Sequence, residues 1–232
     1  MEMTPQQFID YLRDVNQTTI GSITFPLVLK DVTVTGFVSL AKSDWLHSIP
    51  FARIKKDRNG RSLNIEDCPY VDRIHVITEG AVYAARSGLE ELVKGSQLGH
   101  STTGVSLTVV GCQRFRKLDV IASGAVYADG SALSEIANST SLGADCHRIS
   151  LRLRDCKNIR ELNGSFTGSV QAQRSSLARV GKDTKLCTSM HGNQLDITEC
   201  GKVVTRVPIK NCRGAKGRLR FAPYVAINAM EF

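Results

Sequence analysis

The sequence predicts a right-handed α/β solenoid. A parallel sheet of short strands forms one side, helical or irregular segments form the other, and an N-terminal helix and a C-terminal β cap close the ends. A parallel β-helix is the competing solenoid. Three observations predict this class. First, Leu63, Leu107, Leu151 and Leu195 are each 44 residues apart, as are Cys68, Cys112, Cys156 and Cys200. Self-similarity at a fixed period marks one supersecondary unit stacked on its copies. Second, each period holds a weaker copy of the same phrase. The small polar positions then run Ser43, Cys68, Ser87, Cys112, Ser131, Cys156, Ser175 and Cys200, at spacings alternating between 25 and 19, so one coil is about 22 residues. Third, the 232 residues are 42% apolar and 22% charged, ordinary globular usage that excludes a disordered chain.

Residues 1–37 are expected to cap the solenoid. Thr4-Pro5-Gln6-Gln7 reads as a helix entry, with Thr4 at the N-cap, Pro5 at the first helical position and Gln7 completing a capping box. Phe8, Tyr11, Leu12 and Val15 follow at helical spacing, which predicts a helix over 4–15 lying on the first coil. Residues 26–34, PLVLKDVTV, alternate and predict a cap strand or an irregular first coil. The solenoid proper spans 38–200. Its strands carry two inward apolar residues, which cannot be buried by one coil alone, so the coils stack about 4.8 Å apart. The small polar residue after each strand is placed to bond backbone groups that the turn leaves unpaired.

On these residues the chain resembles the leucine-rich repeat family, whose coils of roughly 20–29 residues read L-x-x-L-x-L-x-x-N/C-x-L. The matching residues are Leu63, Ile65, Cys68, Val71 and Ile74, then Leu107, Val109, Cys112, Phe115 and Leu118, then Leu151, Leu153, Cys156, Ile159 and Leu162. Cys or Ser stands in place of the usual Asn ladder, and the likeness covers about residues 38–200. The resemblance implies protein recognition through a concave strand side.

Residues 201–232 are expected to form a basic C-terminal cap, because they hold seven basic residues against Glu231 and carry most of the net charge of +8. The phrase Val207-Pro208-Ile209 to Cys212 follows Cys200 too closely for another full coil. Lys216, Arg218 and Arg220 alternate with Gly217, Leu219 and Phe221, which suits an edge strand with one basic face.

Successive ladder cysteines lie two coils apart, about 10 Å on the strand spacing. A disulfide needs Cα atoms within about 7 Å, so these thiols are expected to stay reduced. Seven cysteines form an odd count, and the first twenty residues, with Glu2, Asp10, Arg13 and Asp14, lack a signal-peptide core. Both point to the cytoplasm. The longest uncharged stretch, 95–113, is rich in Ser, Thr and Gly and is no membrane span. The N-x-S/T triplets at Asn16, Asn138 and Asn163 are expected to be chance matches.

No H-E-x-x-H, G-x-S-x-G or paired C-x-x-C occurs, so no catalytic, metal or cofactor site is expected. His147 and His191, 44 residues apart, are placed by the strand spacing about 10 Å from each other, too far to share one ion easily. The outward strand column is more informative: Ser39, Asn64, Tyr83, Thr108, Tyr127, Arg152, Gln171 and Asp196. Tyr and Arg dominate interface hot spots. The function expected is therefore non-enzymatic recognition of a protein partner, anchored by Tyr83, Arg86, Tyr127, Arg152, Arg154 and Arg174. The alternative is binding of a nucleic-acid backbone by Arg213, Lys216, Arg218 and Arg220. A β-helix enzyme acting on a polymer is weaker, because the face offers mixed charge and no separated carboxylate pair.

Overall fold

Strands of two to seven residues follow one another along the chain, and every strand among the described residues pairs in parallel with a strand of a neighbouring coil. The computed structural model describes residues 1–17, 32–205, 207–215 and 219–221. Among them the chain forms a parallel β-solenoid of about nine turns, the arrangement expected as the competing solenoid. One side is a nine-stranded sheet running from Val38–Ser39 through Ala81–Tyr83, Ala125–Tyr127 and Ser169–Gln171 to Cys212–Arg213. A twelve-stranded sheet branches at Arg73–Thr78, whose two halves pair separately with Glu91–Leu92 and Gln97–Leu98. One branch gives a second side, which a four-stranded sheet from Glu161–Leu162 to Leu219–Phe221 continues. The other branch gives the third side, down to Lys185–Leu186.

The side expected to be helical or irregular, segment 89–95 included, is therefore built of short strands. Segment 89–95 contains the strand Glu91–Leu92, with Leu92 buried. Leu89 and Leu92 are three apart because one fills the corner after Ser87 and the other faces inward from the next side. The only helix among the described residues is α1, Pro5–Gln17. It opens with the expected reciprocal capping box, Thr4 N to Gln7 Oε1 at 2.8 Å and Gln7 N to Thr4 Oγ1 at 3.3 Å. Phe8 and Leu12 are fully buried against the first coil. Asn16, in one of the N-x-S/T triplets, is buried at the helix end. Its Oδ1 accepts the amides of His47 and Ser48 at 2.8 and 3.0 Å, so the helix satisfies backbone donors of the first coil. Of the expected strand over 26–34, residues 26–31 lie outside the described residues; Val32–Val34 is a strand of the third side. No helix among the described residues is long and apolar enough to cross a membrane.

The ladder is a row of turns. The residue before each ladder position, namely Lys42, Asp67, Arg86, Gly111, Gly130, Asp155, Arg174 and Glu199, has φ between 55° and 70°. The ladder residue's amide bonds the carbonyl three residues back, as from Ser87 to Ala84 and Cys156 to Leu153, which makes these type II turns. A left-handed conformation costs a side-chain-bearing residue about 1–2 kcal/mol. It is offset by the amide it directs to the next coil, for example Arg86 N to Val110 O at 2.9 Å and Asp155 N to Gln173 O at 3.0 Å. Ser and Cys divide the remaining work. The hydroxyls of Ser87, Ser131 and Ser175 accept the amide two residues on. The thiols of Cys68, Cys112, Cys156 and Cys200 donate to Leu40, Ala84, Ala128 and Ala172 carbonyls at 2.7–3.0 Å. Inward strand residues on both sides of this scheme, such as Leu107 and Val109 or Val126 and Ala128, are fully buried.

Long and short coils alternate because each long coil carries an extra loop, at 57–60, 101–104, 145–148 and 189–192. Immediately after the first three loops the strand bulges at Ser62, Ser106 and Ser150, all fully buried. Their hydroxyls accept the amides of Gly80, Gly124 and Gly168 in the following short coil at 2.7–2.9 Å. Each of these glycines lies against a carbonyl of the preceding loop: a Cβ on Gly124 would sit 2.1 Å from Gly104 O.

At the C-terminal end Cys212 pairs with Leu195 and Arg213 with Asp196, so Cys212 takes the first inward strand position. Residues 207–211 are the irregular approach to it. Lys216 and Arg218 lie outside the described residues. Leu219 is partly buried and Arg220 exposed, in a strand paired with Val203–Thr205.

Two outcomes test these contacts. Gly124→Ala, driven into backbone, is expected to lose about 3 kcal/mol in urea unfolding, whereas Gly130→Ala, with nothing within 4 Å, loses only about 1 kcal/mol to its positive φ. All seven cysteines are free, and burial pushes the thiols of Cys68, Cys112 and Cys156 up. Native protein should therefore be labelled by a thiol reagent first at the exposed Cys146 and Cys187, with the four ladder thiols reacting only on unfolding.

Candidate recognition face

The nine-stranded side brings the predicted outward column into one line. Tyr83 is the direct neighbour of Asn64 and Thr108, Tyr127 of Thr108 and Arg152, Gln171 of Arg152 and Asp196, and Arg213 extends the row. Neighbours in such a row are about 4.8 Å apart, so their side chains interact across strands.

Five of the six predicted anchors are held by neighbouring side chains. The Arg152 guanidinium lies over the Tyr127 ring, 4.3 Å from its centroid, and pairs with Asp129. Tyr127 donates its hydroxyl to Asp145 Oδ2 at 2.5 Å. Arg154 donates to Gln171 Oε1 at 2.5 Å and Gln173 Oε1 at 3.2 Å, and Gln173 in turn donates to Asp196 at 2.9 Å. Along the turn edge, Arg86 grips Asp67 through two bonds of 2.7 and 2.9 Å, and Arg174 grips Asp155 at 2.7 and 2.8 Å. These pairs form because residues 67, 86, 155 and 174 share the left-handed turn position, which sets their side chains abreast in adjacent coils. Each arginine holds its aspartate below the usual carboxylate range.

The other two sides differ. The second side carries paired charges, Arg73 with Glu91, Lys117 with Glu135 and Arg179 with Glu161. The third side is mostly uncharged along Ile77, Gln97, Ile121, Ser141 and Ser165, ending on Lys185. Of the residues proposed for the nucleic-acid alternative, Arg213 sits on the nine-stranded sheet, 3.8 Å from Asp196, while Arg220 sits on the four-stranded sheet. The structure thus separates those two.

One feature escaped the sequence reading. The extra loops form a row along the edge of the face, capped by Asp57, Ser101, Asp145 and Ser189. Asp145 Oδ1 accepts the amides of His147 and Ile149 at 2.8 and 2.9 Å, and Ser189 Oγ accepts those of His191 and Asn193 at 3.2 and 3.3 Å. The loops touch although two coils separate their roots: Thr102 N bonds Asn59 O, Cys146 N bonds Thr103 O and Met190 N bonds His147 O. The loops that carry His147 and His191 thus meet at the Met190–His147 bond. The signal lay in Gly60, Gly104 and Gly192, at multiples of 44, and in Ser62, Ser106 and Ser150 two residues after the turn position. Between this row and the sheet lies a cleft of about 160 Å³, bordered by His147, Gln171, Ser189, His191, Asp196 and Arg213.

Burial and the bond to Asp145 push the Tyr127 hydroxyl up to about 12, from 10.0. A phenol harder to ionise in the folded chain stabilises it fully below about pH 10, and that contribution is lost as pH rises toward 12. Tyr127→Phe should therefore lose about 1 kcal/mol at neutral pH. It should also decline less steeply than the wild type above about pH 10 in urea unfolding; parallel curves would contradict the assignment.

No protein-family model, no curated protein and no solved structure matches this chain.

Proposed function

We propose that the chain is a non-enzymatic recognition module and that the nine-stranded side binds a protein partner. The observation that carries this is the concentration of Tyr83, Tyr127, Arg152 and Arg154 on one of three sides, with Arg86 and Arg174 along its edge, all but Tyr83 held by side chains of neighbouring coils. Tyr and Arg supply most hot-spot energy in interfaces. Side chains already ordered lose less entropy on binding than free ones, and strand-borne anchors keep their spacing. Nine strands give a face about 40 Å long, a scale that suits a standard interface of about 800 Å² per partner. The free thiols suit a reducing compartment such as the cytoplasm.

The test is affinity enrichment from the native cell extract with the full chain, with and without nuclease. Tyr83→Ala/Arg86→Ala should reduce partner recovery at least ten-fold while the fold persists, because the Arg86–Asp67 pair is exposed. Lys117→Ala, on the paired-charge side, should leave recovery unchanged. Equal recovery by all three proteins would sink the proposal, and material lost to nuclease would move the function to the basic C-terminal segment.

A further inference from the structure

The cleft beside Gln171 occupies a place that the preceding repeat fills with its own side chain. Forty-four residues earlier, Tyr127 stands at the position of Gln171, Asp145 at that of Ser189 and Arg152 at that of Asp196. There the Tyr127 ring runs under the Arg152 guanidinium, and its hydroxyl reaches Asp145 in the loop. In the last repeat the ring is absent. The Gln171 side chain is drawn aside by Arg154, at 2.5 Å, and Ser189 is shorter than the aspartate it replaces. Asp196 and Ser189, the counterparts of the two residues that hold the tyrosine, both border the opening.

The geometry points to a phenol-binding site: the cleft receives the ring of a tyrosine side chain offered by the partner, an assignment that rests on the recognition role proposed above. Size agrees, since a cavity of about 150 Å³ holds a benzene-sized ring, and the cleft measures about 160 Å³. Pockets for whole cofactors and drug-sized ligands run to about 300–1,000 Å³. The lining is both apolar and polar, as a ring with one hydroxyl requires: Ile149 offers apolar surface, while Ser189 and the imidazoles of His147 and His191 offer hydrogen-bonding atoms. Ser189 Oγ accepts two amides but keeps its own hydrogen to donate. Asp196, only 7% exposed, is fixed by Thr198 and Gln173, so the wall is rigid before a ring arrives.

The probe is 4-methylphenol, titrated into the full chain without any partner and followed by amide and imidazole NMR signals, with toluene as the hydroxyl-free control. Saturable shifts confined to residues around His147, Gln171, Ser189 and His191 are expected, with toluene about ten-fold weaker. Gln171→Tyr/Ser189→Asp rebuilds the Tyr127–Asp145 pair in the cleft and should abolish the shifts. Gln171→Tyr alone serves the same purpose should the double variant fold poorly. Shifts scattered over the surface, equal response to toluene, or undiminished binding by a folded Gln171→Tyr would each overturn the assignment. The recognition test alters Tyr83 and Arg86, several coils away, so the two proposals can fail separately.

Discussion

Two unlike coils must stack in strict alternation, and the rest of the molecule depends on how their backbones are joined. A strand that pairs only with its copies in neighbouring coils has no local means of fixing its register. Here the register is fixed by a bulged serine. Ser62, Ser106 and Ser150 leave the pairing, turn inward and take the amide of the glycine in the next short coil. Glycine at 80, 124 and 168 then lets the loop lie close enough to reach its counterpart two coils on. A side chain at any of the three would separate the coils, and with them the row of loops that borders the face.

The turn ladder on the other edge of the same sheet does the complementary task. Seven of the eight left-handed residues send their amide to the next coil, the hydroxyls of Ser87, Ser131 and Ser175 accept an amide after their own turn, and the thiols donate to a carbonyl of the preceding coil. This costs conformational strain at six side-chain-bearing positions, yet it aims those side chains outward and side by side. The pairs Asp67–Arg86 and Asp155–Arg174 follow from backbone geometry as much as from charge. A face bounded by two such rows presents its column of Tyr, Arg, Gln and Asp with little freedom left to lose.

The parts of this arrangement that obey a short-range rule were legible in the sequence. Inward strand residues alternate with outward ones, so the buried pairs and the outward column could be placed residue by residue. Seven of the eight ladder residues are buried, and Ser43 in the first coil is partly so. The capping box of α1 was equally visible. What the sequence left open depends on long-range contact. Leu89 and Leu92 at helical spacing suit a helix and a cornered strand alike, and only the pairing with neighbouring coils decides between them. The strand phrase at Val207 and Ile209 matches in residue type alone: these residues form an irregular approach, and the strand begins at Cys212. The contact between loops, and hence the cleft, arises from the thinness of the short coil beneath them, which a two-coil strand spacing does not convey.

The alternation can be tested directly by native-state hydrogen exchange at the amides of Gly80, Gly124 and Gly168. Each is hydrogen-bonded to a buried serine hydroxyl rather than to a backbone carbonyl. If these bonds join the coils, the three amides should exchange only through near-global opening, with protection matching the central strands. Exchange as fast as at Gly192, in an outer loop, would mean that the serine–glycine joints open locally and that something else holds the long and short coils in register.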